Sequence, residues 1–444
     1  MFRFLKPLLC TLCLMVACAT ATSIESTVNI GSLFSMYTSK ADQRAINNTI
    51  KYLKILSASR YKNHGCGAWR EKYVKMHNDI LAGRLPPRYL VSIAPPQGLA
   101  DRLAGISAQF LIAYFNKRAI FFTSNKDTPG IDTAYDLVNI KSALPSGFMK
   151  GQDDILLNLT FDEYPPSIDR EKSCPLYLNA GANVVQYPIV HKRNVDIFTT
   201  GDLRHSVNGC EHAETIYATG NRGFSWSVFD NPHHKSELKS MGLRRETTFR
   251  CVIDFLLQLK PSSCGATCQQ IKGQITAARD KGVVIIGIQV RVGDNVFEPG
   301  FNLSAIPDPS RHHLSCANKL SGRFRMIGKT VKYFFISDSQ ALRTRIKQKL
   351  GNQVFTDDKF TPSHIHESQS GFDSKAQALA GSASDIMLFS MAHVHVISKT
   401  SGFGQKAAFL SDASNKIHIF FGDDGANCSL TKYSVDSATQ WSGV

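Results

Sequence analysis

The stretch 283–297, VVIIGIQVRVGDNVF, constrains the fold of this chain more than any other. Its first six residues are apolar and mostly β-branched, which is typical of a parallel strand that is buried on both faces. Arg291, Gly293 and Asp294 follow, so a fixed positive charge and a flexible backbone position lie at the end of this strand. In open α/β sheets, ligands bind at the carboxyl ends of the strands. We therefore predict a ligand site here, with a purely structural salt bridge between Arg291 and Asp294 as the alternative.

An arginine at this place favours an anionic ligand, because its planar guanidinium matches a phosphate and keeps its charge. Two further strand ends carry polar groups: Asp338 and Ser339 follow the predicted strand 331–337, and the turn 398–404 is rich in hydroxyls and glycine. Such a turn before a helix can hold a diphosphate through backbone N–H groups and hydroxyls. The alternative is that Ser339 and Ser401 only cap their helices. Together the three strand ends predict a nucleotide-binding α/β protein.

The order of the predicted elements points to parallel sheets. In the second half, strands alternate with helices, which is the pattern of a doubly wound sheet. The first half has one clear unit of this kind, in which a loop with Gly98 joins strand 88–93 to a helix and to strand 118–123. Gly98 places backbone N–H groups at the strand edge, although a plain turn capped by Asp101 is the alternative. Arg102 is unfavourable for the dipole of the following helix, and this conflict favours a position facing a ligand.

The N-terminus predicts a secreted or luminal chain. Basic residues precede a short apolar run and an Ala-Thr-Ala exit, which is typical of a secretory signal peptide. The run is shorter than the roughly 20 residues that cross a membrane, so an uncleaved anchor is the less favoured alternative. We expect a signal peptide over 1–22, a stem with a helix over 23–65, and α/β domains over 66–262 and 263–444, divided at a break in helical period.

Cysteines, sequons and charge agree with this compartment. Of the 11 cysteines, three leave with the signal peptide, and the even remainder predicts disulfides whose pairing cannot be deduced. Four N-glycosylation sequons fit a luminal surface, at Asn47, Asn158, Asn302 and Asn427. The formal charge of +15 favours an anionic partner such as a nucleotide or an acidic glycan. Because no Lys/Arg-rich run interleaved with aromatic residues stands out, we do not expect nucleic acid binding.

Four motifs, spread over residues 66–420, resemble those of the GDP-fucose-dependent fucosyltransferase superfamily, and most of all its plant xyloglucan alpha-1,2-fucosyltransferase-like branch. In chain order they are 98–103 (GLADRL), 287–294 (GIQVRVGD), 333–339 (YFFISDS) and the acid and serines Asp385, Ser398 and Ser401. The chain departs from the common pattern at Gln289, which replaces a histidine, and at Ala100 and Asp101, which replace Gly and Asn.

The resemblance implies an α/β fold of the GT-B-like kind, with two Rossmann-like domains facing each other across a cleft. It implies an inverting, metal-independent transfer of fucose from GDP-fucose to a glycan hydroxyl. Arg291 would grip the diphosphate and stabilise the charge on the leaving GDP. Asp294 would either act as general base or orient Arg291. Further donor-binding roles are implied for Gly98, Arg102, Gln289, Gly293, Asp338, Ser339, Asp385, Ser398, Thr400, Ser401 and Gly402.

The resemblance further implies that the partners are a nucleotide-sugar donor and a glycan acceptor, with no cofactor and no nucleic acid. The expected location is the lumen of the Golgi or the ER, or outside the cell. Two alternatives remain open: a transferase of the same fold that uses another sugar nucleotide, and a secreted glycan-binding protein without catalytic activity.

Overall fold

A computed structural model of the chain describes residues 66–124, 128–141, 184–189, 198–204, 213–221, 223, 226–298, 300–363, 371–399, 401–411, 419–422 and 428. All of them belong to one compact unit, Leu53–Val444. The sequence also predicts a helix over 41–59 and a strand over 153–159, and both lie outside the described residues, as do three of the sequons. None of the described helices is long and apolar enough to span a membrane.

Four parallel strands form the first sheet, in the order β2-β1-β5-β4. A separate antiparallel ribbon joins β3 to β6. The elements of this half are, in chain order, α1 (Trp69–Leu81), β1 (Tyr89–Ile93), α2 (Leu99–Phe115), β2 (Ala119–Thr123), β3 (Tyr135–Leu137), β4 (Val184–Ile189), β5 (Thr215–Gly220), α3 (Lys235–Ser240), α4 (Arg245–Leu256) and β6 (Leu257–Leu259).

Five parallel strands form the second sheet, in the order β11-β10-β7-β8-β9. The apolar run that begins at Val283 forms β7, the central strand. Its elements are α5 (Ala266–Asp280), β7 (Val284–Val290), α6 (Arg311–Met326), β8 (Val331–Ser337), α7 (Gln340–Leu350), β9 (Val354–Phe355), α8 (Phe372–Ser390), β10 (Val394–Ile397), α9 (Gly402–Phe409) and β11 (Ile419–Phe421). Every residue of β7 is buried, as its composition predicts.

Helix α2 holds the first sheet against the second half of the chain. Its residues are apolar almost all around, and it is buried because it packs on β1 and β5 while α4 and α9 contact it as well. Gly105 permits the close approach to the sheet, since a Cβ there would lie 2.0 Å from the carbonyl oxygen of Gly220 in β5. The N-termini of α2 and α9 lie close together, since a Cβ on Gly402 would lie 3.9 Å from Asp101 Oδ1.

These observations confirm the predicted α/β class with two Rossmann-like parallel sheets. The boundary predicted at 262/263 falls in the turn between β6 and α5 and stays a prediction. The sequence also predicts a strand over 194–200, and this prediction is wrong at its described end, where 198 and 199 are helical. The side chain of Asn231 binds the carbonyl oxygens of Phe198 and Gly201, which takes the place of strand pairing.

Three disulfides join described cysteines. Cys66–Cys251 ties the start of the described chain to α4, Cys264–Cys268 closes the turn into α5, and Cys316–Cys428 ties α6 to the C-terminal segment. Cys174 and Cys210 lie outside the described residues.

The effect of pH on stability can be tested at His77. Its side chain is fully buried near the rings of Tyr73 and Phe121. The spacing of four residues from Trp69 to Tyr73 and from Tyr73 to His77 predicts this core position on one face of a helix. Burial lowers the pKa of His77 to about 4. The unfolded chain therefore binds more protons than the folded chain between pH 6.5 and 4, so stability is lost as the pH falls through this window, by roughly 3 kcal/mol for this group. In His77→Leu this part of the pH dependence should disappear in urea titrations at pH 7, 5.5 and 4.5. If the free energy of unfolding of His77→Leu depended on pH as steeply as that of the wild type, the contribution assigned to His77 would be contradicted.

Candidate active site

The second sheet has its topological switch point between β7 and β10. The chain runs outwards from β7 through β8 to β9 on one side and returns on the other side to form β10 and β11. Gln289 near the end of β7 lies beside Ile397 at the end of β10. In doubly wound sheets the crevice at such a point is where ligands bind. Arg291 and Ser398 follow these two strands directly, so the sequence places both at the switch point.

A hydrogen bond joins the two strand ends. The backbone N–H of Arg291 donates to Ser398 Oγ at 2.9 Å. In return, the backbone N–H of Ser398 donates to the main-chain oxygen of Gln289 at 3.2 Å and lies 3.3 Å from its side-chain Oε1. Gln289 is buried below the turn, where a Cβ on Gly404 would lie 2.5 Å from its Oε1. The structure thus brings Arg291, Gln289 and Ser398 together, as the sequence analysis expects.

Asp338 holds the turn that carries Arg291. Its carboxylate accepts the backbone N–H groups of Val292 at 2.8 Å and Gly293 at 3.1 Å, and pairs with Arg291 Nε at 3.3 Å. Gly293 has φ +127°, a conformation that favours glycine. With only 8% of its side chain exposed, Asp338 acts here on the turn, and its expected contact with the nucleoside stays a prediction.

The guanidinium of Arg291 lies between two carboxylates of very different exposure. One of its terminal nitrogens contacts Asp294, and its Nε contacts Asp338. The side chain of Arg291 is 34% exposed and that of Asp294 is 72% exposed. The ion pair that the sequence analysis names as the alternative is therefore present. Because exposed ion pairs contribute only about 0–1 kcal/mol, a diphosphate can displace Asp294 at little cost.

Helix α9 presents its N-terminus beside this turn. Ser401 caps it by accepting the backbone N–H of Gly404 at 3.2 Å, which confirms the capping alternative. A capping hydroxyl still carries a proton that it can donate, and the first N–H groups of a helix have no partner within it. Gly402 opens the helix, and Thr400 lies outside the described residues.

Two other predicted residues have structural contacts on the neighbouring helices. Ser339 caps α7 by accepting the backbone N–H of Leu342 at 3.3 Å. Asp385 lies fully buried in α8 and pairs with Arg343 at 2.5 and 3.2 Å. Burial raises the pKa of Asp385, and Arg343 opposes this shift. Because Arg343 also donates to the main-chain oxygen of Ser337 at 2.7 Å, this ion pair anchors the strand end that carries Asp338.

The N-terminus of α2 lies close to that of α9. A Cβ on Gly98 would meet no atom of a described residue within 4 Å, so the described part of the chain leaves space beside Gly98. Arg102 is 2% exposed and donates to the main-chain oxygens of Gln97 and Pro129, each at 2.7 Å. Burial lowers the pKa of Arg102 to about 10, so it stays charged at neutral pH. It therefore fixes the loop before α2, and its contact with a ligand stays a prediction.

Sequence reasoning missed His313. The prolines at 299, 307 and 309 predict a loop over 295–313, whereas α6 begins at Arg311. His313 is buried, and its Nε2 lies 3.0 Å from Ser398 Oγ. The apolar spacing of Leu314, Ala317 and Leu320 continues N-terminally to His313 and was the available signal. Among the described residues, no cluster of His, Cys, Asp and Glu side chains is suited to hold a metal ion.

Comparison with known proteins finds similar folds among solved structures. A mutant of FUT1 from Arabidopsis thaliana in complex with GDP matches over 86% of this chain and 79% of its own, with a TM-score of 0.48 and 16% identity. NodZ of Bradyrhizobium, an alpha-1,6-fucosyltransferase soaked with GDP-fucose, covers 75% and 94%, with a TM-score of 0.39 and 15% identity. POFUT1 in complex with GDP covers 74% and 97%, with a TM-score of 0.34 and 9% identity.

No protein-family model and no curated protein sequence matches the chain. Because the TM-scores lie below 0.5, these structures carry no argument about function. Any functional conclusion for this chain depends on the residues of its own site.

The role of Asp338 in holding the turn after β7 can be tested by substitution. In Asp338→Asn the amide offers one acceptor to two N–H groups and weakens the pair with Arg291, so we expect a loss of about 2 kcal/mol in the free energy of unfolding. Amide exchange in the peptide 291–298 should also become faster. Asp294→Asn is the matched control, since its carboxylate is exposed and should contribute less than about 1 kcal/mol. Equal losses in the two variants would contradict the role of Asp338.

Proposed function

We propose that the chain is a glycosyltransferase that moves fucose from GDP-fucose to a glycan hydroxyl, with inversion and without a metal ion. The observation that carries the proposal is the hydrogen bond of 2.9 Å between Arg291 N–H and Ser398 Oγ at the switch point of the second sheet. It joins the backbone of Arg291, whose guanidinium is partly exposed, to a hydroxyl-rich turn that leads into a helix N-terminus. These three features together fit a nucleoside diphosphate.

The leaving group explains why a fixed cation is needed. When the bond between fucose and the diphosphate breaks, negative charge builds up on the phosphate oxygen that departs. Arg291 would donate to this oxygen, and the positive end of the α9 dipole would lie next to it. In the structure, Asp294 occupies this position on Arg291. The diphosphate would displace Asp294 from Arg291 and leave Asp338 in place, because Asp338 also binds two backbone N–H groups.

The acceptor would approach from the first sheet. The N-terminus of α2 lies next to that of α9, with Asp101 close to Gly402, and no atom of a described residue lies within 4 Å of a Cβ on Gly98. An acceptor bound at Gly98 would lie on the side of the first sheet, and the leaving group on the side of the second. An attack on the fucose from the first sheet would come from the face opposite the leaving group, which gives inversion.

A location in the secretory lumen is part of the same proposal. The signal-peptide pattern, the three disulfides and the exposed sequon asparagine Asn302 support it. Another sugar nucleotide as donor, or glycan binding without transfer, are the alternatives that the next experiments separate.

Arg291 is the first residue to test. We expect the purified protein to bind GDP, and Arg291→Ala to lower the affinity about 10-fold or more, since a charge-assisted hydrogen bond contributes roughly 1.5–3 kcal/mol. Arg291→Lys should recover part of the affinity, because lysine keeps the charge and lacks the planar fork. Calorimetry with GDP and UDP, and release of GDP from GDP-fucose, measure these effects.

Arg204→Ala is a matched control, because Arg204 also forms an ion pair at the surface, with Asp202 at 2.8 Å. This pair lies near the C-terminal end of α2, where Asn116 binds the main-chain oxygen of Leu203. It should bind GDP like the wild type. Preference for UDP would favour another sugar nucleotide, and glycan binding without nucleotide binding would favour the non-catalytic alternative. Equal GDP affinity of Arg291→Ala and wild type would exclude the proposed role of Arg291.

Asp294 has two candidate roles, and its contact with Arg291 supports the orienting one, in which Asp294 holds the guanidinium until the diphosphate displaces it. We therefore expect Asp294→Asn to lower kcat less than about 10-fold, with GDP affinity similar to the wild type. Loss of a general base would instead lower kcat by about 100-fold or more without changing GDP affinity. Steady-state kinetics with GDP-fucose and an accepted glycan, beside calorimetry, distinguish the two roles.

A further inference from the structure

The side chain of His313, on helix α6, contacts Ser398 at the site, and His313 belongs to none of the four sequence motifs. Its Nε2 lies 3.0 Å from Ser398 Oγ, and the same oxygen accepts the backbone N–H of Arg291 at 2.9 Å. One hydroxyl thus connects a buried histidine on α6 to the residue proposed to bind the leaving group. We call this series the His313–Ser398–Arg291 chain.

The position of His313 is fixed on several sides. Helix α6 packs on β7 and β10, the two strands of the switch point. A Cβ on Gly422, just after β11, would lie 2.2 Å from Cδ2 of His313, so the backbone there lies directly against the ring. One turn further along α6, Cys316 is joined to Cys428. The imidazole therefore has little freedom to move, and this makes it suited to orient a hydroxyl.

We propose that His313 is a positioning residue, which holds the Ser398 hydroxyl so that Arg291 and Ser398 together face the diphosphate. The inference rests on the proposed function for its ligand, but the geometry that it describes exists in the ligand-free protein. His313 itself does not touch the substrate. It acts through Ser398, whose side chain is the common partner of His313 and of the Arg291 backbone.

The chemistry of the hydroxyl decides which tautomer serves this role. Ser398 Oγ has two lone pairs and one proton. If Nε2 of His313 carries a proton, Oγ accepts from both His313 and Arg291, and its own proton is available for a phosphate oxygen. If Nε2 lacks a proton, the hydroxyl donates to it and has none for the ligand. We therefore assign the proton to Nε2 in the ligand-binding state.

The proton on Nε2 identifies the substitutions that distinguish a positioning role of His313 from a role in core packing alone. In His313→Gln, the side-chain amide nitrogen reaches about as far as Nε2 and can donate to Ser398. In His313→Asn, the amide is too short, and His313→Leu fills similar space without a donor. His312→Leu is the matched control, because the neighbouring His312 is exposed.

The experiment has two readouts: GDP affinity by calorimetry, and amide exchange of the peptide containing Arg291 in the ligand-free protein. We expect His313→Leu and His313→Asn to weaken GDP binding about 5- to 10-fold and to speed exchange at Arg291. His313→Gln should stay within about 3-fold of wild type. His312→Leu should change neither readout. Adding His313→Leu to Ser398→Ala should weaken binding no further than Ser398→Ala alone, because both remove the same chain.

Several results would overturn the proposal. Unchanged exchange and affinity in His313→Leu would show that the hydroxyl needs no support. Equal defects in His313→Gln and His313→Leu would show that only the shape of the ring matters. If the His313 variants do not fold, Ser398→Ala alone must still speed exchange at Arg291, or the chain does not hold the turn. Wild-type protein that binds no GDP yet shows the expected exchange pattern would refute the proposed function and leave the positioning role in place.

Discussion

The arrangement of the site depends on how one short turn is fixed after the central strand of the second sheet. Two side chains bind the backbone of this turn: Ser398 accepts the N–H of Arg291, and Asp338 accepts the N–H groups of Val292 and Gly293. They come from the strands on either side of β7, so the sheet itself sets their spacing. A guanidinium on a loosely held turn would lose conformational freedom on binding, whereas a turn that is fixed beforehand avoids most of that cost.

The buried supports behind this turn are mostly polar. Arg343 and Asp385 form an ion pair in the interior, and Arg343 also binds the main-chain oxygen of Ser337 beside Asp338. Buried ion pairs add little net stability, but removal of one partner leaves a charge without compensation. Their position behind the strand end that carries Asp338 indicates that they maintain the geometry of the turn after β7. The same argument applies to His313, which lies behind Ser398.

The sequence was most informative where function depends on the order of residues along one strand. The apolar run of β7 followed by Arg291, and the serine- and glycine-rich turn after β10, predict a central strand and its partner at the switch point. Contacts between distant segments could not be predicted in this way. His313 is 85 residues from Ser398, and Arg343 is 42 residues from Asp385, so no local pattern joins them. Strand β5 was also missed, because its short buried run lies within a Gly-, Asn- and His-rich stretch, and the structure places it beside β1.

The most direct test of the account is a crystal structure of the protein with GDP. The account predicts that both phosphates lie between the guanidinium of Arg291 and the N-terminus of α9. In that complex, Asp294 would have moved away from Arg291, and the contacts of Asp338 with Val292 and Gly293 would be unchanged. A GDP molecule bound elsewhere, with the pair of Arg291 and Asp294 still intact, would contradict it.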